Sequence, residues 1–284
     1  MKRLVDHAIL ALTALTVIAA CAVIVLPLLY TILTSFDARR FIGAMPPPAL
    51  SLQWYISFFN SQIFMDALRA SLVVCFVAGV LATILGTLAA LGLARLTGGS
   101  ALAAGGLFSS PQLIPHVVLG FALLLVFARI GIDNAYARLV LAHTVITMPF
   151  VVRTVLASLY GIRPALSEAA MSLGATSGQV LKEITLPLAK TGIAVGFIFA
   201  VAFSLDDVSV AVFLTDPDVT TLPVALASSM KASFDPTIAA AAVVMVGIAA
   251  AIVATLEWLV GLDHLIGQGL YGAGSKGRFK RVTR

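Results

Sequence analysis

The chain has 284 residues, 60% of them hydrophobic and 11% charged, with a formal net charge of +5 and a mean hydropathy of +1.06. A chain this apolar cannot keep a wettable surface, which excludes a water-soluble globular domain. The basic excess is read as membrane topology and attraction to anionic lipid, so no nucleic-acid partner is expected. Apolar runs fall at about 8–33, 64–94, 102–130, 136–158, 190–213 and 237–260, and a bilayer core takes about 20 apolar residues per helix. Lipid offers the backbone no hydrogen-bond partners, and the runs are too long and continuous for barrel strands. The expected fold is all-α and integral to the membrane: six transmembrane helices in one domain spanning 1–284.

In the first run, Ile18, Ala19, Ala20 and Cys21 look like a lipoprotein cleavage box. The chain stays apolar through Leu33, so an uncleaved first span is expected. Cys21 and Cys75, the two cysteines, both fall within predicted spans and read as packing residues, with no disulfide framework and no metal spacing. Residues 34–63 read as an external loop. Pro46, Pro47 and Pro48 hold extended backbone, and Trp54, Tyr55, Phe58 and Phe59 read as an interfacial anchor or a contact for a partner. Pro111 and Pro115 interrupt the third run and predict a kink or break near His116, beside a transport pathway or merely as a packing device.

Cations set the orientation. Lys2, Arg3, Arg95, Arg153, Arg163, Lys182, Lys190 and the basic tail 263–284 fall on one side of a six-span topology, and fewer cations fall on the other. Both termini are therefore expected in the cytoplasm.

The polar stretch 161–190 has the grammar of two short helices. Pro164 suits a first helical position and Gly174 a left-handed C-terminal cap. Leu166, Ala169, Ala170 and Leu173 form one apolar stripe, with Glu168 and Ser172 on another face. Ser177 is expected to cap a second turn carrying Val180, Leu181 and Ile184, which stops before Pro187. Together these make a compact cytoplasmic hairpin.

This stretch resembles the signature of the membrane subunits of binding-protein-dependent ABC importers: E-A-A, three residues, G, nine residues, I-x-L-P. The matching positions are Glu168, Ala169, Ala170, Gly174, Ile184, Leu186 and Pro187, with every spacing kept. The resemblance implies a type I importer permease fold in a bacterial inner membrane, with the hairpin seated in a groove of a separate ATPase dimer. ATP and magnesium would be bound there, and no cofactor by this chain. It further implies a second permease subunit and an external substrate-binding protein. Residues 110–114, 148–152, 204–208 and 221–224 look most like the second permease of spermidine and putrescine importers, which favours a sister subunit over an identical one.

Asp206 and Asp207 sit in the outer part of the fifth span, inside an otherwise apolar run from Ile193 to Leu214, and acids at membrane depth usually face protein, water or a functional path. They suit a cationic amine by Coulomb attraction; equally, they suit a cap on the outer end of the span or a contact for the binding protein. His116, His143 and His264 form no metal pattern and read as structural. No phosphate-binding glycine loop precedes a lysine at the required spacing, so energy must come from another chain. Three alternatives stand beside this reading: an ion-coupled secondary transporter using Asp206, Asp207 and His143, an intramembrane enzyme, and the same permease role for an opine or amino-acid-like solute.

Overall fold

In the computed structural model, residues 2–41, 43–232 and 235–260 are described; the basic segment 263–284 and His264 lie outside them. Among the described residues there are helices and one isolated antiparallel bridge, Asp37 to Leu50, but no strand. Five helices among the described residues are long and apolar enough to cross a membrane, or six if one sharply bent pair counts as a single span.

The chain divides into two compact units. In the first, α1 (Lys2–Ser35) exposes its apolar side chains, with Leu10, Val23 and Ile24 at 70%, 73% and 74%. Such a surface is at home only against lipid or another chain. The following loop folds onto α2 (Gln53–Asn60). The Trp54 indole N–H donates to the Asp37 carbonyl at 2.6 Å, and the Ser35 and Tyr55 hydroxyls share a 2.7 Å hydrogen bond. Phe58 is fully buried, its ring 5.7 Å from that of Phe64. Trp54 and Phe58 are thus core residues of this unit and not the interfacial anchors expected from composition. An aromatic side chain with a polar tip serves either purpose, and here the tip finds backbone. Arg39 grips Asp37 through both carboxylate oxygens, and its guanidinium holds the buried Asp37 carboxyl below the usual carboxylate range.

The second unit contains most of α3 (Gln62–Leu93), the pair α4 (Gly98–Leu113) and α5 (His116–Ile130), α6 (Ala135–Tyr160), the short α7 (Pro164–Ser172) and α8 (Ser177–Val180), α9 (Leu186–Asp206) and α10 (Ala211–Leu214). α11 (Leu222–Ala232) and α12 (Thr237–Val260) are each divided between the units. Between α4 and α5 the chain bends by 102°. Ile114 and Pro115 are extended there, so the expected break lies one residue before His116. Pro111 remains inside α4.

Lipid provides no hydrophobic drive for helix association, so close packing of small residues has to supply it. α6 and α9 meet along Gly192 and Gly196. A Cβ on Gly192 would strike the Ser158 hydroxyl and come within 2.5 Å of the Thr154 carbonyl oxygen. Around this seam Ala82, Ala90, Val151, Val155 and Ala200 form a buried cluster. A second cluster joins Val74, Phe127, Leu139, Ile146, Val210 and Leu214, and the Leu222 amide donates to the Ser71 hydroxyl at 2.8 Å.

Gly192→Leu is expected to destabilise the protein by about 3 kcal/mol, the upper end of ordinary overpacking, because a backbone carbonyl cannot move aside. Thermal melting in detergent checks this, with Gly105→Leu as control, since nothing lies within 4 Å of a Cβ added there. Equal melting temperatures for the two variants would refute the seam.

Candidate functional site

Two regions, near opposite ends of one helical segment, carry the polar chemistry. At the first, Pro164 opens α7, where its missing N–H is no loss. The helix closes with the Gly174 N–H donating to the Met171 carbonyl and the Ala175 N–H to that of Ala170, both at 3.0 Å. This double closure requires the left-handed φ of +92° at Gly174. Leu173, at the turn, is 90% exposed, and Leu166 is about half exposed. An apolar stripe left this open is ready for a partner.

The cap of α8 is Thr176 and not Ser177. Its hydroxyl accepts the Gln179 amide, and the Gln179 side-chain oxygen accepts the Thr176 amide at 2.8 Å. The reciprocal bonds require Gln at the third helical position, which a cap at Ser177 would lack. The helix also does not stop before Pro187. It passes through a π-turn, Leu181–Thr185, in which the Leu186 N–H donates to the Leu181 carbonyl, and runs on as α9. A proline ring clashes with the carbonyl four residues earlier, here Glu183, and the widened turn relieves that clash. Of the seven signature positions, Glu168, Ala169, Gly174 and Pro187 are exposed, while Ala170, Ile184 and Leu186 are partly covered.

At the other end, α9 stops at Asp206 instead of continuing to residue 213. Asp207 explains the stop: its Oδ2 accepts the Val210 and Ala211 amides, each at 3.0 Å, and so starts α10. Asp207 is buried and Asp206 exposed. His116 of α5 and His143 of α6 approach Asp207 from two sides, each with a ring nitrogen 3.9 Å from a carboxylate oxygen. His143, fully buried, shares a 2.7 Å hydrogen bond with the Ser204 hydroxyl through Nδ1, and its Nε2 has no hydrogen-bond partner. The His116 ring stands edge-on to Phe203 at 5.6 Å, and Phe203 packs on Phe150 at 4.9 Å.

An open cavity of about 250 Å³ is lined by Phe203, Asp206, Asp207, Val208 and Ser209. Neither Pro111 nor Pro115 lines it, although Pro115 sets the start of α5 that delivers His116. The sequence reading left His116 and His143 as isolated structural residues and did not pick out Ser204. Their meeting at Asp207 joins three helices and carries no spacing signal. Among the described residues no group of His, Cys, Asp and Glu could hold a metal ion.

The profile of the binding-protein-dependent transport system inner membrane components matches residues 82–262. The chain belongs to this family. It is an inner-membrane permease of an ABC importer, a transport subunit and not an enzyme, with ATP hydrolysed on a separate subunit. Permeases of this family work with an ATPase and a substrate-binding protein. Among the relatives, the spermidine/putrescine transport system permease protein PotC of Haemophilus influenzae is 31% identical over 82% of this chain and 90% of its own. The putrescine transport system permease protein PotI of Escherichia coli K12 is 31% identical over 82% and 84%.

Solved structures show the same permease fold. A bacterial ABC transporter involved in the import of the acidic polysaccharide alginate aligns with a TM-score of 0.74 at 17% identity, over 91% of this chain and 97% of that one. An amino acid ABC transporter with histidines aligns with a TM-score of 0.54 at 18% identity, over 75% and 98%.

Proposed function

We propose that this permease carries a small organic polycation, a polyamine such as putrescine or spermidine, and that the hairpin around Gly174 is its contact with the ATPase dimer. The observation that carries the coupling role is the hairpin itself, an exposed apolar stripe on a short helix closed by a glycine in a left-handed turn. A rigid amphipathic helix in a groove transmits rigid-body motion between subunits. In this reading the hairpin and both termini are cytoplasmic, ATP and magnesium sit on the partner, and a sister permease completes the pathway.

The cargo assignment rests on the relatives' names and on charge. Asp207 is engaged by two amides and flanked by two imidazoles, which leaves Asp206 as the free carboxylate at the cavity. Phe203 lies beside it. A carboxylate next to an aromatic ring suits an ammonium group by charge and by cation–π attraction, and repels an acidic solute.

The test is uptake of labelled putrescine into proteoliposomes containing the chain, its copurifying subunits and the binding protein. Uptake is expected to require ATP inside, to survive an uncoupler at constant ATP, and to be outcompeted by spermidine but not by glutamate or an opine. Uptake abolished by the uncoupler under those conditions would remove the ATP-driven reading, and competition by glutamate would remove the polyamine.

A further inference from the structure

We infer that the cavity behind α7 is a binding site for the phosphate headgroup of an anionic phospholipid. The cavity, about 330 Å³ and open on one side, lies between the hairpin and the ends of α3 and α6. Its walls divide by chemistry. Leu91, Leu159 and Ile162 make an apolar side, while Arg95 and the hydroxyl residues Ser167, Ser177 and Thr185 make a polar one.

α7 contributes Pro164, Ser167 and Met171, spaced as one helical stripe. The stripe of Leu166, Ala169 and Leu173, each two residues further on, lies about 160° away, on the nearly opposite face of the helix. A protein seated on the second stripe leaves the first, and the cavity behind it, unfilled. This argues against the ATPase as occupant.

The position argues for lipid. The cavity lies at the ends of two helices of membrane-spanning length; the ends of spans meet the headgroup layer, where basic pockets between spans take anionic headgroups. Arg95, just beyond the end of α3 and exposed, has no acidic partner among the described residues. A free phosphate would use Arg95 and the hydroxyls but gain nothing from Leu91, Leu159 and Ile162; a phospholipid uses both, laying the start of an acyl chain along the apolar wall. Leu181 and Thr185, the two ends of the π-turn, also line the cavity. A bound headgroup therefore touches α7, the π-turn and the ends of α3 and α6 together, and stiffens the base of the hairpin. The binding claim depends only on the cavity; its effect on coupling rests on the hairpin's proposed role.

Native mass spectrometry of the purified complex with dioleoylphosphatidylglycerol or dioleoylphosphatidylcholine tests it. Phosphatidylglycerol is expected to be retained about fivefold over phosphatidylcholine, the equivalent of one cation at the surface. Arg95→Gln should erase that excess, and Ser167→Phe, which fills the cavity, should exclude the bound lipid while the ATPase still copurifies. Equal retention of the two lipids by the unmodified protein, or an excess untouched by Arg95→Gln, overturns the site. Displacement of phosphatidylglycerol by glycerol phosphate at equal concentration overturns the lipid assignment in favour of a free anion. In proteoliposomes, phosphatidylglycerol should lower the ATP used per solute for the unmodified protein and not for Arg95→Gln. If the lipid preference holds but no ATP-driven uptake is found, the proposed function falls and the site stands.

Discussion

Asp206→Asn is expected to raise the amine concentration for half-maximal uptake about tenfold, the scale of one lost charge-assisted contact, while ATPase activity and assembly stay near those of the unmodified protein. The reason is exposure: Asp206 opens onto the cavity at the end of α9 and caps no helix. Asp207→Ala should behave differently. It strands the Val210 and Ala211 amides in a buried place, at about 1–3 kcal/mol for each amide left without a partner. It also leaves His143 with no carboxylate near Nε2. Reduced melting temperature and poor recovery of the complex are the expected signs. In the proposed reading the pair thus separates a carboxylate that meets cargo from one that builds the place where cargo is met. Should Asp206→Asn transport normally while Asp207→Asn assembles fully and loses uptake, the roles are reversed.

Gly174→Leu combined with Glu168→Ala should reduce ATPase capture in a pull-down by about tenfold and abolish uptake, with little change in the melting of the chain itself. The contrast follows from where Gly174 sits. Nothing lies within 4 Å of a Cβ added there, so no packing is disturbed, yet its φ of +92° strains any L side chain. A residue that refuses the left-handed region costs about 1–2 kcal/mol, or re-aims the turn. Re-aiming moves Leu173 and the stripe behind it relative to α8. An unchanged pull-down in the double variant would remove the hairpin from the ATPase contact.

What the sequence made legible is what local rules govern. The spans could be read because lipid forces every backbone group to bond within its own helix, and the break before His116 because Pro115 cannot continue a helix that carries it. The hairpin could be read because Pro164 and Gly174 act within a single turn. What stayed hidden depends on partners far along the chain. Nothing in the spacing of residues 116, 143, 204 and 207 foretells that three helices bring them together. Pro187 looked like a terminator because the alternative, widening one turn into a π-helix, leaves no mark in composition. Trp54 and Phe58 looked like interface residues because a large aromatic ring reads alike at a headgroup level and in a protein core. The fifth run looked longer than it is, since residues 208–214 are apolar and only Asp207's capture of two amides starts a separate turn.

The path from the hairpin to the acid pair has a mechanical consequence. From Ser177 to Asp206 the helix is unbroken over 30 residues, about 45 Å at the usual rise of 1.5 Å per residue. Under the proposed coupling role it would work as a pushrod. A small axial or twisting stroke delivered at the foot would then reach the carboxylates without having to cross a loop. The widened turn, Leu181–Thr185, departs from regular α geometry just above the foot, so in that reading it is where the rod would give, at the end nearest the proposed ATPase contact.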